Sequence, residues 1–497
     1  MQARNHPNFY AILVKMPSFP VKGALAEKWI RHGDRTALPN SQTSGVPIGR
    51  MPVGLMLQSE PQRIGLLATL MGIYLFMHVL PFAEVTTVHF HLRVPIVAAM
   101  CALITLASPF TARLQRFFEA SLGVPWVLMA IPFFLASVLG LYPRASTSFI
   151  AGYLIRFQAM PILICAIVVT TRQVRHIIFW IIGAHVAALL LCAKFGQLMD
   201  GRLCIPGYDY QNPNDLALCL IFGSCFVLLL FFLRSFMAKL LAFGILGVSV
   251  LFVARTASRA GLVGLVIMAI ALVVSSSPTS RILILASTPM AAVLLALMLP
   301  HGTWQRLSMI TLNPRAEYLK VDDDELRRAV ESQMARMNLQ QRAFEIAIRH
   351  PVLGVGPLMF ADAADSMVRE QTGRKSSWQN PHNVYLQIAA ETGIPALILY
   401  VTCMVLSVRL NYRSAKACRG VPEHQSTYAQ SVCLLVATVT FAIGILFSNF
   451  AFTSLFPILV GLTAANALAV RREVQERKDE GLAMPHPSGP RAALVGR

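Results

Sequence analysis

The 497-residue chain is 55% hydrophobic and only 13% charged, with a mean hydropathy of +0.58, whereas soluble domains carry roughly 25% charged residues. That balance excludes an ordinary soluble globular protein and points to an integral membrane protein. The formal net charge of +19 does not call for nucleic acid as a partner, because basic residues beside apolar spans are what the positive-inside bias produces.

Residues 1–60 mix Lys15, Lys22, Lys28, Arg31 and Arg35 with scattered prolines and hold no long apolar run. The stretch from Phe9 to Val14 is too short for the apolar core of a cleaved signal. These residues are therefore expected to form a cytoplasmic extension, with a start-transfer anchor at 64–82. Apolar windows then recur near 94–110, 124–142, 148–170, 177–195, 214–233, 238–254, 260–276, 281–299, 394–408, 427–447 and 451–470. Each approaches the roughly 20 residues that cross a bilayer, so the expected fold is an all-α polytopic membrane protein of about twelve spans. Nine of these fall in 61–299 and three in 392–472. Basic residues at Arg113/Arg116, Arg172/Arg175, Arg234/Lys239, Arg281 and Arg409/Arg413/Lys416/Arg419 share one side with both ends of the chain. That side is expected to be cytoplasmic. The tail 473–497 is basic and contains proline and glycine, and is expected to be disordered and cytoplasmic. Most of the nine cysteines lie within apolar runs, where the thiol acts as a small hydrophobe, so no disulfide is expected.

Several arginines break the apolar pattern. Arg156 sits inside the span 148–170, Arg255 and Arg259 bracket a short outward turn, and Arg144 precedes a span. An arginine at membrane depth costs at least ~2.5 kcal/mol on insertion scales. Each could simply reach the lipid phosphates. Several on one face, with planar forks of donors, instead suggest an anionic, phosphate-bearing substrate held at the interface.

Residues 300–391 form the one long polar interval, expected to face outward and carry the chemistry, since connections of this length are uncommon without a function. Asp322, Asp323, Asp324 and Glu325 open a predicted helix over 325–338, where acids suit the positive end of the helix dipole better than they make a metal site. His89, His91 and Glu84 lack a well-spaced third ligand. No metal and no cofactor is expected. A second helix is predicted from Gln340 to Arg349, followed by Gly354 and Gly356 in a tight loop that closely approaches a ligand or another segment. Asn380-Pro381-His382-Asn383 reads as a helix start with Asn380 as N-cap and His382 in the first turn. There the helix dipole would keep the imidazole neutral and able to act as a base.

The set Ser258-Arg259-Ala260-Gly261, Arg342 before Phe344, Pro351-x-x-Gly354-x-Gly356, and His382-Asn383-x-x-Leu386-x-x-x-x-Glu391-x-Gly393 resembles the O-antigen ligase and O-antigen polymerase superfamily. Asn212-Pro213-Asn214-Asp215 is similar to another recurrent feature of that group. The resemblance implies a GT-C-like membrane fold, a long helical periplasmic loop between the ninth and tenth spans, and metal-free transfer of a glycan from undecaprenyl pyrophosphate. It makes His382 the catalytic histidine and Arg259 and Arg342 the essential arginines. Arg156, Arg255, Arg144, Gly354, Gly356 and Asn383 are the expected substrate-binding residues. The implied donor is undecaprenyl-pyrophosphate-linked O-antigen and the implied acceptor is lipid A–core, with membrane lipid around both. The implied place is the bacterial inner membrane, with the active site periplasmic. Ligation is expected first and polymerisation is the neighbouring reading. The short stretch after Val470 argues against a protein oligosaccharyltransferase. A twelve-span transporter, the alternative from another class, would show a repeat between halves, and the sequence has none.

Overall fold

In a computed structural model, the described residues are 61–79, 110–199, 201–206, 211–233, 235–275, 281–282, 285–286, 324–373 and 379–483. The chain divides between Ser59 and Glu60 into two units, and the first lies outside the described residues. The second is helical. Its elements begin with α1 (Pro61–Val79), α2 (Phe110–Glu119), α3 (Gly123–Leu139) and α4 (Pro143–Tyr153), the last continuing through a π-helical turn at Leu154–Gln158 into α5 (Met160–Ile167). After α6 (Thr171–Phe195) comes a two-stranded antiparallel ribbon, β1 (Gln197–Met199) and β2 (Arg202–Cys204). Next are α7 (Pro213–Val227), α8 (Phe236–Arg255), α9 (Arg259–Ser275), α10 (Asp324–Arg349), α11 (Phe360–Thr372), α12 (Val384–Cys418), α13 (Gln425–Gly444) and α14 (Leu455–Ala483).

Helix starts follow local capping chemistry. Thr170 caps α6 by accepting from Gln173 N, while the Gln173 side chain accepts from the backbone of Thr170. Asn212 caps α7 with Pro213 in the first position, and Ser235 caps α8. Each cap satisfies backbone donors that have no helical partner.

Among the described residues, seven helical segments are long and apolar enough to cross a membrane, and three shorter apolar helices join them at Gly65–Val79, Gly123–Leu139 and Arg259–Val274. The expected spans at 94–110 and 281–299 lie almost wholly outside the described residues. The expected pair of helices over 325–338 and 340–349 is instead the single helix α10. The helix expected to begin near His382 and the span expected at 394–408 are the two segments of α12, joined across Gly393 (φ 85°) with Pro395 behind it. Proline and glycine together make a kink that hydropathy does not register.

The helix α7 is buried on every side from Asn214 to Val227, as expected of an all-round apolar helix at the centre of a bundle. It packs on α6, α8, α9 and α13, and α12, α13 and α14 pack on one another. Apolar burial does little to hold helices together in lipid, whereas polar side chains between them contribute about 0.6–1.7 kcal/mol each. Here Asn411 donates to Thr438 (3.2 Å) and Thr463 (2.9 Å), Gln430 donates to Asn466 (2.9 Å), and Asn466 donates to Ser431 (3.0 Å). These four bonds join α12, α13 and α14.

A second apolar cluster lies apart from the bundle core. Leu339, Ala343, Ile346 and Ala347 make one stripe of α10 and pack on Val355, on Phe360, Ala363 and Ala364 of α11, and on Ala389 and Ala390 of α12. That packing holds α10 against the first segment of α12.

Candidate functional site

A cavity of about 520 Å³ opens between α7, α10, the segment before α12 and the segment before α14, lined by Asn212, Ser332, Ala335, Arg336, Gln379, Asn380, His382 and Asn449. Its size fits the range of small-molecule sites, and seven of its eight lining side chains are polar.

His382 does not occupy the first turn of a helix. Asn383, rather than Asn380, is the N-cap of α12, accepting from Leu386 N at 3.1 Å. His382 lies just before it with φ 51°, a left-handed conformation that histidine tolerates better than most residues. Its backbone N–H donates to Asn449 Oδ1 at 3.0 Å, and its Nδ1 lies 3.0 Å from Asn449 Nδ2. Asn449 N in turn donates to Asp215 Oδ1 at 3.4 Å, a long bond at the start of α7. Burial, and secondly the positive charge of Arg336, push the His382 ring down from 6.5 to about 4. The ring is therefore neutral near pH 7, but through burial and a neighbouring guanidinium and not through the helix dipole invoked from sequence.

Arg259 begins α9 and is placed by its neighbours. The turn Thr256–Ser258 is tied to α7, because Ser258 Oγ donates to Asn214 Oδ1 at 2.7 Å. Arg202 donates both to that oxygen (3.0 Å) and to Thr256 O (3.0 Å). From this turn the Arg259 guanidinium reaches Gln333 Oε1 on α10 at 2.6 Å. One turn further along α10, burial pushes the Arg336 guanidinium down from its ordinary value. The positive charge of Arg259 acts the same way and Asp215 opposes it. Arg259, Arg336 and Asp215 are thus close enough to feel one another. Among the described residues Arg336 donates no hydrogen bond, and it lines the cavity. Arg259 does not itself line the cavity. The lining guanidinium is Arg336, with the charge of Arg259 near it, and a guanidinium beside a neutral imidazole suits an anion with an adjacent reacting oxygen.

The other expected site residues fall elsewhere. Arg342 lies six residues beyond Arg336 on α10, about 9 Å along the helix axis, and does not line the cavity. Arg144, Arg156 and Arg255 are exposed and do not line it. Arg156 sits in the π-helical turn, and its carbonyl accepts from Tyr74 Oη at 3.4 Å. Gly354 and Gly356 approach protein and not the cavity: Val355 N donates to Ala390 O (2.9 Å) and Gly356 N to Glu391 O (2.9 Å). The buried Glu391 carboxylate accepts from Leu358 N (2.9 Å) and Phe360 N (3.3 Å). The glycine loop is therefore a clasp on the α12 kink.

His89, His91, Glu84, Asp322 and Asp323 lie outside the described residues. Among the described residues no three His, Cys, Asp or Glu side chains converge as ligands for a metal.

Arg336 and Asn449 were not singled out from the sequence. Arg336 is one of several arginines along an amphipathic helix, and Asn449 is a lone polar residue in the apolar stretch Phe447–Phe452. Neither belongs to a spacing pattern.

The comparison with curated proteins returns no match. Residues 244–401 match the family model described as O-antigen ligase. That segment contains Arg259, Arg336, Arg342, the glycine clasp and His382, while Asn212 and Asn449 lie on either side of it. Over this segment the chain is similar to O-antigen ligases, and the match does not separate ligases from polymerases.

Proposed function

We propose that the chain is a GT-C-like glycosyltransferase of the bacterial inner membrane, with about twelve spans and both termini cytoplasmic. It moves O-antigen from undecaprenyl pyrophosphate onto lipid A–core at the periplasmic face. The observation that carries the reading is the cavity, where neutral His382 and cationic Arg336 share a wall and Arg259 sits beside Arg336.

In this reading the acceptor hydroxyl attacks the anomeric carbon and His382 takes up its proton, a contribution of about 10²–10⁴ in rate. Arg259 and Arg336 hold the pyrophosphate and offset the charge that grows on it as it leaves. Arg342, farther along the same helix, meets a more distant part of the donor. A bound pyrophosphate also cancels the Arg336 charge that depresses the His382 ring, so donor binding raises the proton affinity of the base. Pyrophosphate is a good leaving group and the arginines supply the positive charge, so the transfer needs no metal. A single displacement inverts the anomeric centre.

Lipopolysaccharide from a strain lacking the gene tests the reading. Loss of all O-antigen, with polymer accumulating on the lipid carrier, is the expected result. A single repeat unit left on the core would mean a polymerase instead. Unchanged lipopolysaccharide would remove glycan transfer altogether.

A further inference from the structure

The contact between His382 and Asn449 fixes which ring nitrogen carries the proton. A backbone N–H can only donate, so the Asn449 atom 3.0 Å from His382 N is the carboxamide oxygen. The other end of that carboxamide is then its NH₂ group, which lies 3.0 Å from His382 Nδ1 and can also only donate. Nδ1 must therefore be the acceptor and carry no proton. A neutral ring in this setting bears its hydrogen on Nε2, and Nε2 makes no hydrogen bond among the described residues. Flipping the amide would set NH₂ against N–H. Protonating Nδ1 would set N–H against NH₂. Both oppose two donors, which costs about as much as leaving a buried donor unsatisfied.

We propose that Asn449 is the positioning residue that holds His382 as its Nε2–H tautomer, so that the ring meets the substrate as a donor at Nε2 and takes up a proton at Nδ1. The proposal rests on the glycan-transfer reading for its catalytic half. In that reaction the acceptor O–H bond breaks with its proton passing to Nδ1, and the oxygen bonds to the anomeric carbon. The bond from that carbon to the pyrophosphate oxygen breaks, and its electron pair leaves with the pyrophosphate. The acceptor hydroxyl thus takes the place that the Asn449 amide holds at rest. Asn449 and His382 both line the cavity. Nε2–H is left to donate to the anionic donor beside Arg336.

The test compares Asn449→Asp with Asn449→Ala in full-length protein reconstituted in liposomes. A carboxylate at 449 can accept from both His382 N and Nδ1, which moves the ring proton to Nδ1 and strips the proposed base of its lone pair. Asn449→Asp should therefore lose transfer by roughly a hundredfold or more, the scale of a lost general base. Asn449→Ala vacates the position and should lose several-fold less, with both variants melting close to wild type.

Histidine-selective ¹⁵N spectra, with His382→Gln used to assign the signal, should show wild-type Nδ1 unprotonated and Nε2 protonated at pH 7. In Asn449→Asp, Nδ1 should be protonated. An Asn449→Asp variant that transfers at the wild-type rate or faster would put the base at Nε2 and overturn the proposal. So would a wild-type ring protonated at Nδ1, or equal losses in both variants with lowered melting temperatures. The spectra need no substrate. If wild-type protein shows the expected tautomer but transfers no glycan, the transfer reading fails and the tautomer assignment stands.

Discussion

At the scale of single residues, a buried ring that resists protonation makes folding depend on pH in a definite direction. The unfolded chain takes up a proton at His382 near pH 6.5, whereas the folded chain refuses it until about 4. The unfolded state therefore binds more protons between those values, and stability falls as pH drops through this window. Below about 4 the loss from this group levels off, at roughly 3 kcal/mol. Glutamine cannot titrate, so His382→Gln should lose less melting temperature than wild type between pH 7.5 and pH 4.5, measured in detergent. A parallel loss in both proteins would mean that the ring titrates normally. The same variant should transfer glycan at least roughly a hundredfold more slowly than wild type at pH 7.5, because it cannot accept the proton. Near-normal transfer by His382→Gln would reduce His382 to a structural residue.

At the scale of elements, the site depends on a clasp that does not touch it. Gly354 (φ 64°) and Gly393 (φ 85°) both need the left-handed region, and each backbone comes against the other segment. A Cβ at Gly354 would meet the Glu391 carbonyl, and one at Gly393 would meet the Val352 carbonyl. With Ile394 N donating to Pro351 O at 2.7 Å, the loop after α10 locks onto the kink of α12. That contact keeps α10, which carries Arg336, in register with the segment that presents His382. Gly354→Ala should cost roughly 2–3 kcal/mol from backbone strain and crowding. It should appear as a lower melting temperature and lower yield, with the activity of the remaining folded protein reduced further because α10 shifts. An alanine variant as stable as wild type would mean the loop relaxes freely and does not position α10.

At the scale of the whole molecule, Arg259 at the start of α9, Arg336 on α10 and Asp215 on α7 come from segments separated by tens of residues in the sequence. Their charges meet only after the bundle closes. If those guanidiniums neutralise the pyrophosphate, no metal is required. Transfer by the purified protein in liposomes should then survive EDTA with no change in rate. Activity abolished by EDTA and restored by Mg²⁺ or Mn²⁺ would return Asp322–Glu325 to consideration as ligands.

The sequence by itself determined what depends on local patterning. Apolar runs gave the membrane class and located most helices, and the order of Arg259, Arg342 and His382 gave the family resemblance. Only the tertiary structure decided what depends on contacts between distant segments. Hydropathy counts apolar residues, and neither the positive φ of Gly393 nor the merging of two predicted helices into α10 changes that count. The loop glycines announced a close approach without saying to what, and the partner is the α12 kink. The neutrality of His382 comes from burial and Arg336, two features that exist only once α10 is packed on α12. Its tautomer comes from Asn449, a residue 67 positions away in an apolar stretch where a single asparagine carries no periodic signal.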